Sequence, residues 1–123
     1  MFEAQKEWIC PENFPSLKGY SHVAIDLETK DPELKSMGSG AVRGHGNIVG
    51  IAVAVDGWSA YYPIAHEGGG NLDKDKVMNW IKEVCAASNT KLFHNAMYDV
   101  CWIRAAGIKI NGHIVDTMVM ASL

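Results

Sequence analysis

The chain has 123 residues, of which 48% are hydrophobic and 20% charged, and a formal net charge of −3. That length suits one compact domain with a single core and is too short for two; the composition is not that of a disordered or fibrous protein. The negative balance excludes a free-standing protein that grips nucleic acid mainly through a broad basic surface, but it is compatible with an acidic site that holds cations.

Cys10, Cys85 and Cys101 are odd in number and widely spaced, so they form neither a zinc pattern nor a disulfide framework, and a reducing cytosol is the natural setting. The N-terminus has no basic start followed by an apolar stretch, and no run could span a bilayer. A soluble, cytoplasmic protein with no membrane partner is expected.

Residues 1–20 hold Pro11, Pro15 and Gly19 among scattered aromatics and predict an irregular lead-in packed loosely on the domain, which then occupies 21–123. From His22 to Glu28 the residues alternate, with Val23, Ile25 and Leu27 on one face and Ala24, Asp26 and Glu28 on the other, the period of a strand. Residues 31–47, with Gly38, Gly40, Gly44 and Gly46 among polar groups, predict a long mobile loop. Ile48–Val55 and Trp58–Ile64 flank Asp56-Gly57, a two-residue hairpin that makes the first three strands an antiparallel meander.

Beyond a His66-Glu67 loop with three glycines, Asp73 is an N-cap signal for a helix whose apolar positions are Val77, Trp80, Ile81, Val84 and Cys85. Lys91–His94 reads as a short strand, and Asn95 as the cap of a second helix that ends near Ala106 before Gly107. Ile110–Val115 is a further short strand, after which Asp116 caps a third helix cut by the chain end at Leu123. Three strands followed by alternating helices and strands predict a mixed α/β sheet.

Asp26 and Glu28, two apart on a strand, project from the same face and can share a cation, although an isolated Asp-x-Glu is more often an ordinary solvated pair. Asp99 shifts that balance. It lies in a helix that is apolar on almost every side, through Ala96, Met97, Tyr98, Val100, Cys101, Trp102 and Ile103. A carboxylate in such surroundings must be neutralised, paired or bound to a metal; an ion pair with Arg104, or a place at the helix's exposed edge, is the competing explanation. Three hard oxygen ligands suit Mg²⁺ or Mn²⁺ better than zinc, and a pair of such ions can activate water and stabilise the leaving oxygen of a phosphodiester.

VAIDLETKDP resembles the first motif, and HNAMYD the second, of proofreading exonucleases in the DnaQ-like superfamily with the ribonuclease H-like fold. IVDTMVMASL is similar to the helix that follows in DNA polymerase I-like (family A) enzymes, and the Gly38–Gly70 segment is similar to that of bacteriophage members. The resemblance covers roughly residues 20–123 and implies a 3′–5′ exonuclease domain of a phage polymerase. It implies Asp26, Glu28 and Asp99 as catalytic ligands of two divalent cations, Mg²⁺ or Mn²⁺. Thr29 would then lie near the terminal nucleotide, Asn95 would brace the site, and Asp116 would serve as a structural cap. The implied partners are a single-stranded 3′ end of DNA and a covalently linked polymerase domain, in the cytoplasm of a bacterial host.

The family's third motif, Tyr-x-x-x-Asp or His-x-x-x-x-Asp, lies several dozen residues beyond the second, and the sequence stops before it; the last tyrosine is Tyr98. The expectation is therefore a partial domain, incomplete at its C-terminus. Two other readings stay open: a ribonuclease H-like domain that binds nucleic acid or a partner without turnover, and an exoribonuclease of the same superfamily. Weaker signals include Arg43 and His45 in the glycine-rich segment, which could touch a phosphate but fit no phosphate-loop pattern. His22, His94 and His113 read as hydrogen-bonded structural histidines, His66 and Glu67 as surface groups, and Trp58, Tyr61 and Tyr62 as packing residues.

Overall fold

The apolar alternation in the first strand and the helical spacing after Asp73 build the two layers of the fold. In the computed structural model, which describes residues 10–118, five strands form one sheet in the order β3-β2-β1-β4-β5. These are β1 His22–Lys30, β2 Asn47–Val55, β3 Trp58–Pro63, β4 Thr90–Phe93 and β5 Ile114–Asp116. β1 pairs antiparallel with β2, and β2 with β3, whereas β4 lies parallel to both β1 and β5. The result is a mixed α/β fold compatible with the ribonuclease H-like architecture.

The antiparallel half is a meander because a two-residue connection, Asp56-Gly57, joins β2 to β3, and Gly57 there takes φ +80°. The parallel half needs crossovers, which the helices α3 Lys74–Ala86 and α4 Ala96–Ala105 supply. Asp73 caps α3 as its position predicts, its carboxylate accepting from the backbone N–H groups of Asp75 and Lys76 at 2.9 and 3.3 Å. All five apolar positions expected on α3 are buried. They pack with Val23, Ile25 and Leu27 of β1, Ile51 and Val53 of β2 and Tyr62 of β3 in a single core.

The period of two puts the other residues of these strands on the opposite face. In register across the sheet, Ala24, Ala54 and Ser59 form one row and Asp26, Ala52 and Tyr61 the next. Glu28, Gly50 and Pro63 form a third. The first two of these rows line a groove of about 740 Å³ that includes Asp26.

The structure corrects the sequence-based outline in several places. Residues 10–20 do not pack loosely: Leu17 is buried, Phe14 stacks on Tyr62 at 5.4 Å, and the Trp80 indole donates to the Pro15 carbonyl at 2.8 Å. Tyr62 donates to the Asn13 carbonyl at 2.7 Å, and the Asn89 amide bridges the carbonyls of Leu17 and Tyr20 at 3.0 Å each. Aromatics and carbonyls spaced irregularly along a segment carry no periodicity, which is why this strap is invisible in the sequence. The 31–47 segment is likewise not a bare loop, since it contains two single turns, α1 Leu34–Met37 and α2 Gly40–Arg43.

Asp31 holds that segment, its two carboxylate oxygens accepting from the Gly40 N–H at 3.1 and 3.0 Å. Gly40 is dictated by space, because a Cβ there would lie 2.0 Å from the His45 carbonyl oxygen. Arg43 is engaged with Glu33 at 3.1 Å and with the Gly38 carbonyl at 3.3 Å, so it serves this turn. The last strand begins at Ile114, not Ile110, because the 110–113 stretch turns through Gly112. Of the helix expected after Asp116, the part beyond Met118 lies outside the described residues.

Candidate active site

Asp26 and Glu28 are exposed on the open face of β1, as the alternation requires. Asp99 is in the first turn of α4 and only 3% exposed. The helix brings it to β1: burial, first, and then the charge of Asp26 push the Asp99 carboxyl up to about 7, against the opposing effect of the Leu27 backbone amide, with a further push from Asp116. Arg104 is exposed and forms no ion pair with Asp99 among the described residues, and Asp99 is buried, so neither an ion pair with Arg104 nor an exposed helix edge accounts for this acid. One of its carboxylate oxygens, Oδ2, is buried without a hydrogen-bond partner among the described residues. An orphaned buried oxygen beside two further acids is an electrostatic environment that a cation would relieve.

The helix is set in place at its N-terminus by Asp116 at the end of β5. Its Oδ1 accepts from the Asn95 N–H and its Oδ2 from the Ala96 N–H, each at 3.0 Å, and Oδ1 also accepts from the Met118 N–H at 3.0 Å. An anion at this end satisfies amides that the helix leaves unpaired and complements its dipole. Asn95 does not cap α4 with its side chain, contrary to the expectation from its position. It adopts the left-handed conformation, φ 69° and ψ 64°, and makes no side-chain cap bond. Asp116 has a structural role, as expected, but the helix it caps among the described residues is α4, which precedes it in the chain.

Thr29 lies at the irregularity where the β1–β2 register shifts after Glu28. Its hydroxyl is 2.7 Å from that of Tyr98, which donates to Asp31 Oδ2 at 3.1 Å. The residue next to Asp99 is thus fastened to the end of the strand that carries Asp26 and Glu28.

Glu28 itself engages residues that sequence reading assigned to packing or to the surface. The Tyr61 hydroxyl donates to Glu28 Oε2 at 2.5 Å and is 2.6 Å from His66 Nε2, which in turn lies 3.7 Å from Glu28 Oε2. Burial, and then the bond to Glu28, push the Tyr61 hydroxyl's ionisation well above the ordinary range, so it stays a donor. His66 is held by Asn71, whose side chain accepts from the His66 N–H at 2.7 Å and donates to its carbonyl at 2.9 Å. The only sequence signal for this cluster was that the tyrosine shares the strand face of the carboxylates, two strands away.

The structure thus couples Asp99 to Asp26 and to Asp116, and Glu28 to Tyr61 and His66. Among the described residues, no group of three or more His, Cys, Asp or Glu side chains is gathered closely enough to hold a metal ion. Nor is any described helix long and apolar enough to cross a membrane.

No protein-family model matches the chain. Over 108 residues it is 38% identical to a protein named DNA-directed DNA polymerase from Pseudomonas phage M6, a match that takes in 84% of this chain. The chain spans 16% of the length of that relative.

Proposed function

We propose that the chain is part of a 3′–5′ exonuclease domain of a phage DNA polymerase, hydrolysing the terminal phosphodiester at a single-stranded 3′ end. The observation that carries this reading is Asp99, an almost fully buried carboxylate with an unpartnered oxygen, brought to the strand of Asp26 and Glu28. Similarity to a phage polymerase of which this chain spans 16% supports a covalently joined polymerase domain and a site of action in the host cytoplasm.

In this reading Asp26, Glu28 and Asp99 would hold two divalent cations, Mg²⁺ or Mn²⁺; the oxygen-only donor set and the orphaned Asp99 oxygen fit such ions. Bound there, the ions would supply an activated water and stabilisation of the leaving oxygen. The remaining residues position. Asp116 fixes the turn of α4 that bears Asp99, and the Tyr98–Thr29 bond ties that turn to β1; Thr29 would lie near the terminal nucleotide. Asn95 braces the site through its backbone.

The test is nucleotide release from 5′-labelled single-stranded DNA in Mn²⁺, with this chain and with one extended downstream through a Tyr-x-x-x-Asp segment. Release by the extended chain, abolished by Asp26→Ala or Asp99→Ala, supports the proposal. Undiminished release by those variants overturns it. Release from RNA in place of DNA would point to the exoribonuclease.

One observation favours a second reading. With no three ligand side chains gathered among the described residues, the domain would bind single-stranded DNA without turnover. Binding of labelled DNA with no release by either chain would select it.

A further inference from the structure

We propose that Tyr61, buttressed by His66, is a positioning residue that fixes the carboxylate of Glu28 for cation binding. This rests on the metal-carboxylate reading above and extends it to residues that the sequence assigned to packing and to the surface.

Glu28 needs such a partner. Its side chain is long, stands on an open sheet face and is 57% exposed, so its carboxylate would otherwise sample several rotamers, and ordering it on binding a cation costs entropy. The Tyr61 hydroxyl removes that freedom with a 2.5 Å bond to Oε2. A tyrosine hydroxyl has one proton. If Tyr61 donates it to Glu28, the contact with His66 must run the other way, with Nε2–H of His66 donating to the Tyr61 oxygen at 2.6 Å. The two bonds then point in series toward the carboxylate, engaging Oε2 and leaving Oε1 for a cation. The paired His66–Asn71 bonds at 2.7 and 2.9 Å anchor the far end of this series in its own loop.

The sheet is cut to admit it. Tyr61 is on β3 and Glu28 on β1, with β2 between them, and the residue of β2 opposite Glu28 is Gly50. A Cβ on Gly50 would lie 1.8 Å from the Tyr61 hydroxyl oxygen and 2.3 Å from the ring carbon that bears it. Only glycine there lets the ring lie across β2 and reach Glu28. Partners that orient a metal ligand in this way commonly contribute 10- to 100-fold in affinity.

The test is Mn²⁺ binding to the full chain, followed by electron paramagnetic resonance of the free ion, for wild type, Tyr61→Phe, Glu28→Gln and the double variant. Thermal unfolding of each confirms that it is folded. Tyr61→Phe is expected to weaken binding about 10-fold, and to have no further effect once Glu28→Gln is present. A merely structural tyrosine would show the same loss in both backgrounds, and that result, or unchanged affinity in Tyr61→Phe, overturns the proposal. Should Tyr61→Phe fold poorly, His66→Gln, which spares the ring packing, is read through the same cycle with the same two outcomes. Wild-type affinity in both Asp26→Ala and Asp99→Ala would instead sink the metal-site reading itself, a separate failure.

Discussion

The carboxylate of Asp116 accepts from the backbone N–H of Asn95 at 3.0 Å, so the edge strand of the sheet sets the start of the helix that carries Asp99. The same side chain also accepts from the Ala96 and Met118 amides, each at 3.0 Å. Replacing it leaves several amides without an acceptor. Asp116→Ala is expected to lower stability by roughly 1–2 kcal/mol, with Asp116→Asn losing less because it keeps one acceptor oxygen. Urea unfolding of the three proteins checks the order; equal midpoints would show that water replaces the cap.

Asn95 is the only non-glycine residue with positive φ among those described. Left-handed backbone is tolerated by glycine and asparagine and costs other residues about 1–2 kcal/mol. Asn95→Gly should therefore be near neutral in stability and Asn95→Val clearly destabilising. If both lose the same amount, the asparagine side chain matters and its backbone does not.

These two residues show how far the sequence could be read. Alternation in β1 and helical spacing in α3 made the core face, the exposed Asp26 and Glu28 and the α3 cap legible, since burial on one face imposes its period on the chain. Asn95 before a helix looks like a side-chain cap because asparagine favours both capping and left-handed backbone, and sequence does not separate the two. The acceptor that does cap α4 is 21 residues away in sequence. The Tyr61–Glu28 bond, 33 residues apart, and the strap around Phe14, Leu17 and Trp80 are equally nonlocal contacts. Asp99 was legible for a different reason: a lone acid in an apolar helix is an anomaly wherever the helix packs.

Lys91 is a further nonlocal case. It opens what reads as an apolar strand, yet its ammonium is fully buried and donates to the backbone carbonyls of Ala87, Asn89 and Asn111. These lie after α3 and before β5, so one side chain joins both connections to β4. Lys91→Met keeps much of the volume but strands the three carbonyls, and a loss of roughly 3 kcal/mol or more is expected. Arginine should not rescue it, because a planar guanidinium does not match three acceptors gathered around a point charge. Calorimetry of both variants is decisive, and a wild-type melting temperature in Lys91→Met would refute the tether.

Asp99 also gives the metal-free protein a pH dependence whose sign follows from its environment. In the unfolded chain its carboxyl titrates near the ordinary 3.8, and in the fold near 7, raised by burial and by Asp26. Between those values the folded state holds the proton that the unfolded state has released. Stability from this group therefore falls as pH rises through the window, with the full loss above about 7 and none below 3.8. Each unit of difference corresponds to roughly 1.4 kcal/mol. In EDTA, the wild-type urea midpoint should fall between pH 5 and pH 8 by more than that of Asp99→Asn, which cannot ionise at this position. The comparison cancels the other titrating groups. Parallel pH profiles for the two proteins would mean that Asp99 is ionised in the fold throughout, and that its buried oxygen is solvated or paired in solution.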